Sequence, residues 1–203
     1  MRRAATWLGM TLLLAVSAPA HASGPSSSTP VHLPSSHAEA GQPSELEALR
    51  RAYLASVQDA GAIARGLREV ARLRAAGAES PERAALLTAY EGALVTLRAK
   101  HAFWPAQKMR YMREGLALLD GAVAAYPNGA EARYLRLMSC YYLPGFFGRS
   151  GSVREDFGAL ARLLPAVRAQ YPAELYAAIA RFVVEKGELA PEERRALEAT
   201  LGA

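Results

Sequence analysis

From Ser44 to Leu201 the apolar residues recur every three or four positions, and short Pro, Gly and Ser punctuation cuts the pattern into helix-sized pieces. Such a chain can bury its hydrophobic stripes only by packing helix on helix, because a half-buried sheet needs alternation with a period of two. Leu46, Leu49, Tyr53, Leu54 and Val57 form the first face, with Ser44 and Glu47 spaced as a capping box at its start. Gly61 is read as an interruption. Ile63, Leu67, Val70 and Leu73 then carry a second helix that ends near Gly77. Ser80-Pro81 starts a third, with serine at the cap and proline in the first turn, and its face is Leu86, Tyr90, Leu94 and Leu97.

Trp104-Pro105 opens a fourth helix bearing Met109, Met112, Leu116, Leu119 and Val123, and Asn128-Gly129 closes it. A fifth carries Tyr134, Leu137, Met138 and Tyr141 and stops at Pro144. After a Gly- and aromatic-rich loop over Leu143–Gly151, Ser152 and Glu155 have capping-box spacing. Phe157, Leu160 and Leu164 continue inward until Pro165, which is expected to kink or end the helix. Two more helices carry Leu175, Ile179, Phe182 and Val183, and then Leu197 between Pro191 and Leu201. The fold class expected is all-α, an irregular array of antiparallel hairpins with about seven or eight helices. Tyr126-Pro127 and Tyr171-Pro172 each end a helix before an acidic start. Gly115, Leu119, Ala122 and Pro127 fall at tetratricopeptide-like intervals, so a diverged helical repeat is expected, with its excess length in the 143–151 loop.

The N-terminus has a different character. Arg2 and Arg3, the apolar stretch Trp7–Val16 and the small-x-small site Ala20-His21-Ala22 together read as a cleaved export signal over residues 1–22. Its apolar core is too short for a spanning helix, which needs about 20 residues. No cysteine follows it for lipid attachment. Residues 23–43, rich in Ser, Pro and Gly, read as a linker, and His32 and His37 within it make too sparse a ligand set for a metal. The domain is therefore 44–203, and the expected location is the periplasm or outside the cell. About 160 residues can bury roughly 70% of their extended surface.

The formal charge of +5 falls to +3 once Arg2 and Arg3 leave with the leader. Basic residues alternate with acids along the helices, as in Glu192-Glu193-Arg194-Arg195, so no nucleic-acid partner is expected. The helix at 61–77 sets Arg65, Arg68, Arg72 and Arg74 against Glu69 alone, and its apolar side is expected to pack on the third helix with the arginines solvated. Were its apolar side free, it would lie on anionic lipid. Cys140, the single cysteine, reads as a small buried apolar residue. No pattern asks for a metal or cofactor.

The segment richest in unusual chemistry runs from Lys100 to Asp156. Lys100-His101-Ala102-Phe103-Trp104-Pro105, Arg133-Tyr134-Leu135-Arg136 and Leu143-Pro144-Gly145-Phe146-Phe147-Gly148 occur in that order. The three blocks resemble a group of bacterial secreted helical proteins that pair a Lys-His-x-x-x-Pro turn with an Arg-x-Leu-Arg helix and a Leu-Pro-x-Phe-x-Gly loop. The resemblance spans roughly residues 85–200. It implies a shared helical fold and carries no activity.

The candidate binding residues are Lys100, His101, Trp104, Arg133, Arg136, Tyr141, Phe146, Phe147, Arg149 and Asp156. Arg133 and Arg136 share a helix face and are expected to pair with Glu155 or Asp156, or else to bind an anion as a fork. Phe146 and Phe147 either plug the core or join Trp104, Tyr141 and Tyr142 in an aromatic patch. His101 is read as a packed or capping residue at a helix end. No catalytic constellation declares itself. The function expected is a non-catalytic binding or scaffolding module that takes a protein or peptide partner around residues 100–156. The alternative is an envelope enzyme using His101 with a nearby carboxylate.

Overall fold

The structure, a computed structural model, describes residues 45–77 and 80–202. The expected signal, the expected linker over 23–43 with its two histidines, and Ser44 lie outside the described residues. Among those described the chain is all-helical. Its α-helices are α1 (Glu45–Ser56), α2 (Ala60–Ala75), α3 (Pro81–His101), α4 (Pro105–Ala125), α5 (Ala130–Tyr141), α6 (Ser150–Val167), α7 (Ala173–Lys186) and α8 (Pro191–Leu201). Short 3-10 turns at Gly145–Phe147 and Arg168–Gln170 precede and follow α6. The helices pair in chain order as four hairpins within the compact unit Pro43–Ala203.

Local chemistry sets most of the starts. Ser80 accepts from the Arg83 N–H at 3.2 Å with Pro81 at the first position, where a missing N–H costs nothing. Pro105 and Pro191 open α4 and α8 in the same way. Three expectations change. Gly61 does not interrupt a helix but sits in the first turn of α2, where Asp59 caps its N–H at 2.8 Å. Ser152 and Glu155 form no capping box, because α6 begins earlier, at Ser150, and the Glu155 carboxylate is drawn to arginines of α5. Pro165 neither ends nor visibly breaks α6, which runs on to Val167. The proline has no N–H to offer the Ala161 carbonyl, and the helix runs on past that one missing bond.

Two adjoining cores hold the array. Leu49, Leu73, Leu87, Leu94, Leu119 and Leu135 anchor one, drawn from α1 to α5. Leu137, Leu160, Leu164, Ile179, Val183 and Leu197 anchor the other, drawn from α5 to α8. Helix α5 is the shared wall: Leu135 faces one core and Leu137 the other. All of these residues belong to Pro43–Ala203, so this unit carries the means of its own folding.

Helices α3 and α4 form the longest hairpin, 21 residues each. They cross at glycine: a Cβ on Gly115 would stand 2.6 Å from the Gly92 carbonyl oxygen and 2.5 Å from Thr96 Cγ2. The apolar stripe of α2 is also covered, with Ile63, Val70 and Leu73 buried in the first core. Its arginines are left in solvent, so this helix has no free apolar side to lay on lipid.

Candidate functional site

Two buried ionic networks tie the hairpins together. In the first, Glu131 at the start of α5 is 4% exposed and receives Arg50 of α1 through Nε at 2.9 Å and Nη2 at 2.7 Å. The Tyr90 hydroxyl of α3 donates to the same carboxylate. Burial, with the Glu131 charge beside it, pushes the Tyr90 hydroxyl well above the ordinary tyrosine range. Three helices distant in sequence thus converge on one carboxylate, which also gains from the N-terminal end of the α5 dipole.

The second network sets three arginines against three acids from α4, α5 and α6. Arg136 donates Nε and Nη2 to the two oxygens of Asp156, at 2.8 and 2.7 Å. Arg133 reaches Asp156 at 2.9 Å and Glu155 at 3.0 Å, and its Nε donates to the Pro127 carbonyl. Arg149 makes a two-pronged bond to Asp120, at 2.9 and 2.6 Å, and Asp120 lies 3.4 Å from Arg136. Both Arg133 and Arg136 are buried, and Asp156 is fully so. Burial holds the Asp156 carboxyl above its usual range against the pull of Arg136 and Arg133. The more exposed Glu155 is held below its usual range by Arg133 and Arg136. The ion-pair expectation for the two arginines therefore holds. Arg136 spends Nε and Nη2 on Asp156, and Arg133 divides its bonds between the Pro127 carbonyl and the two carboxylates.

Lys100 and His101 serve the same structural end. Lys100 Nζ donates to the Val57 carbonyl at 2.5 Å, and His101 Nε2 meets the Ser56 carbonyl at 2.9 Å. Together they satisfy the carbonyls left free where α1 ends. Among the described residues no ion pair joins His101 to a carboxylate. Cys140 is buried, as expected, with its thiol pushed up by burial and Arg149 Nε 3.5 Å from its sulfur.

The aromatics divide sharply. Tyr141 is half-buried, edge-on to Phe157 and Phe182 in the second core. Phe147 turns inward against the first core, whereas its neighbour Phe146 stands 78% exposed. Sequence treated these two as a pair with one fate; their rings lie against each other at 4.6 Å, yet only Phe147 reaches the core. Phe103 and Trp104 are 81% and 66% exposed and meet edge-to-face at 5.2 Å. Tyr142 and Leu54 complete the exposed large apolar residues among those described, at 54% and 49%.

These five side chains share one end of the domain. Leu54 lies in the last turn of α1, and the Ser56–Val57 carbonyls that follow are bonded to the end of α3. Phe103 and Trp104 form the α3–α4 turn. Tyr142 follows α5, whose Ser139 lies 3.5 Å from Thr96 near the end of α3. Three successive hairpin tips, α1–α2, α3–α4 and α5–α6, thus turn the same way and each carry exposed apolar side chains. Helix α5 is shorter than α3 and α4, and Arg149 after it reaches Asp120, so the α5–α6 tip stands back from the α3–α4 turn.

Of the ten residues expected to bind, Trp104 and Phe146 alone reach this surface. Lys100, His101, Arg133, Arg136, Arg149 and Asp156 are framework, and Tyr141 and Phe147 are core. Phe103 was missed as a surface residue, although its place beside Trp104-Pro105 in a turn was a usable signal. Nothing local marked Leu54. A separate cavity of about 500 Å³ opens between Arg168, Tyr171, Tyr176 and Thr200, and none of the ten line it. Compared with family models, with curated proteins and with solved structures, the chain shows no significant match.

Proposed function

We propose that this chain is an exported, non-catalytic docking module, a diverged tetratricopeptide-like array that engages material of the cell envelope through its hairpin tips. One observation carries the reading: every large apolar side chain exposed among the described residues sits at the same end. Soluble domains scatter such residues singly, and their concentration on one surface is the mark of an interaction site. The polar residues of the 100–156 segment support the reading indirectly, since their networks brace α4, α5 and α6 beneath the tips. A rigid support lowers the ordering cost that a docking surface meets on binding.

The alternative of an envelope enzyme requires His101 to work with a carboxylate, and its nitrogen is instead engaged by a backbone carbonyl. A protein or peptide, the partner expected from sequence, and the lipid surface of the envelope are both materials that an aromatic end can meet.

The test uses the compact unit Pro43–Ala203. Retention on total envelope material is compared for the native unit, for a tip variant (Phe103→Ser, Trp104→Ser, Tyr142→Ser, Phe146→Ser) and for His101→Ala. Retention of the native unit and of His101→Ala, with loss of the tip variant, is the expected result. Equal retention of all three, or none, overturns the docking reading.

A further inference from the structure

We infer that the hairpin tips dock on an anionic lipid surface, with Phe103, Trp104, Tyr142 and Phe146 inserted at the headgroup level. This rests on the docking reading above and names the occupant of the same surface.

The first observation is how far these side chains stand clear. Exposures of 81%, 66% and 78% for Phe103, Trp104 and Phe146 describe rings on protruding turns, not rings lining a groove whose walls would half-cover them. A protein partner would have to supply a separate pocket for each tip. A bilayer interface closes around protrusions without preformed pockets, and it is where Trp and Tyr rings, apolar with one polar edge, are favoured.

The second observation is charge. Lys108, in the first turn of α4, and Arg154, in the second turn of α6, are exposed and form no ion pair among the described residues. Arg113 is also exposed, but eight residues into α4 it lies about 12 Å back from the start of that helix. Both helices begin at the tip end, and helical side chains lean toward the N-terminus, so Lys108 and Arg154 are carried toward the aromatic surface.

The acids of this end are largely engaged. Asp59 caps α2 and pairs with Arg65, Glu114 pairs with Arg110, and Glu155 with Arg133 and Arg136. Residues 102–104 and 142–149 contain no acid. Glu185 and Glu188 flank Gly187, which packs near Phe157. Seven residues into α6, Phe157 places them about 10 Å back from the start of that helix. Two free cations thus flank aromatic turns that hold no acid of their own, with the neighbouring Asp59, Glu114 and Glu155 already paired, which suits phosphate headgroups over an apolar layer. No described helix is long and apolar enough to cross a membrane, so the contact proposed is interfacial.

Trp104 is the one tryptophan of the compact unit and reports directly. Its emission and co-sedimentation are followed with vesicles of equal parts phosphatidylglycerol and phosphatidylcholine, and with phosphatidylcholine alone. Anionic vesicles should shift the emission to shorter wavelength and pellet the protein, with binding that weakens as salt rises. Lys108→Gln and Arg154→Gln should each weaken it roughly fivefold. Phe103→Ser with Phe146→Ser, at exposed positions that leave the fold intact by circular dichroism, should abolish pelleting.

Unmoved Trp104 emission together with no pelleting overturns the lipid assignment. So does equal binding to both vesicle types. If the unit is still retained by envelope extract freed of lipid, the docking reading survives with a protein as occupant. If neither lipid nor extract is bound, both readings fall.

Discussion

The α3–α4 crossing offers a prediction whose sign can be worked out from distances. A Cβ on Gly115 would meet Thr96 Cγ2 at 2.5 Å, the Gly92 carbonyl oxygen at 2.6 Å and the Thr96 nitrogen at 2.7 Å, where ordinary contact begins at 3.4 Å. Two of those atoms are backbone, so relief requires the two longest helices to separate by nearly 1 Å along much of their length. Overpacking of this kind costs about 1–3 kcal/mol, and the backbone obstacle argues for the upper figure. Alanine is favoured over glycine within a helix by about 1 kcal/mol, which offsets part of the loss. The net expectation for Gly115→Ala is a destabilisation of about 2 kcal/mol, a fall in Tm of about 4–8 °C for a domain of this size.

Gly121 supplies the control. It lies in the same helix, and an added Cβ there meets nothing within 4 Å. Gly121→Ala therefore keeps the helix gain alone and should raise Tm by about 2–4 °C. Urea unfolding of both variants, followed by far-ultraviolet circular dichroism because Trp104 is too exposed to report on the core, measures the difference. A Gly115→Ala midpoint equal to or above that of Gly121→Ala would refute the close crossing and the reasoning built on it.

Two further outcomes follow from the ionic networks. Glu131→Ala leaves Arg50, only 12% exposed, with Glu47 at 3.3 Å as its remaining ion pair, and leaves the Tyr90 hydroxyl without its acceptor. A loss of about 3–5 kcal/mol in urea unfolding is expected, and a loss below about 1 kcal/mol would mean that the network is not closed in solution. Acid acts on this network through Glu155, whose depressed carboxyl stabilises the fold fully above its usual value of 4.5 and loses that contribution as pH falls below it. Asp156, raised by burial, has the opposite sign and does not add to the acid loss. Glu155→Gln should therefore lose less Tm than the native unit as pH drops below 4.5, and parallel curves would remove Glu155 as the cause.

The legible part of this protein is the part governed by near neighbours in sequence. Helix existence follows from residues three or four apart, and Ser80-Pro81 and Trp104-Pro105 mark starts that the structure reproduces, because a cap or a proline acts within its own turn. The pairing of Arg133 and Arg136 with Glu155 and Asp156 was readable for a related reason: α5 and α6 are consecutive, so the acids opening one face the arginines of the other. Local reading failed where a second rule competed. Ser152 and Glu155 satisfy capping-box spacing, yet two buried arginines bind a carboxylate more strongly than a helix end does.

What tertiary structure alone decided is which side chains water reaches. Phe146 and Phe147 have the same chemistry and adjacent positions, and only the place of the first core makes one a plug and leaves the other exposed beside it. Asp120 carries no local sign that it will hold Arg149, since their meeting depends on α4, α5 and the following loop folding back together. The same holds for Glu131 with Arg50, 81 positions apart. Sequence patterning says that a residue is apolar or charged and which helix face it shares. Only the packing of the hairpins says what covers that face, and here it leaves three tips uncovered at one end.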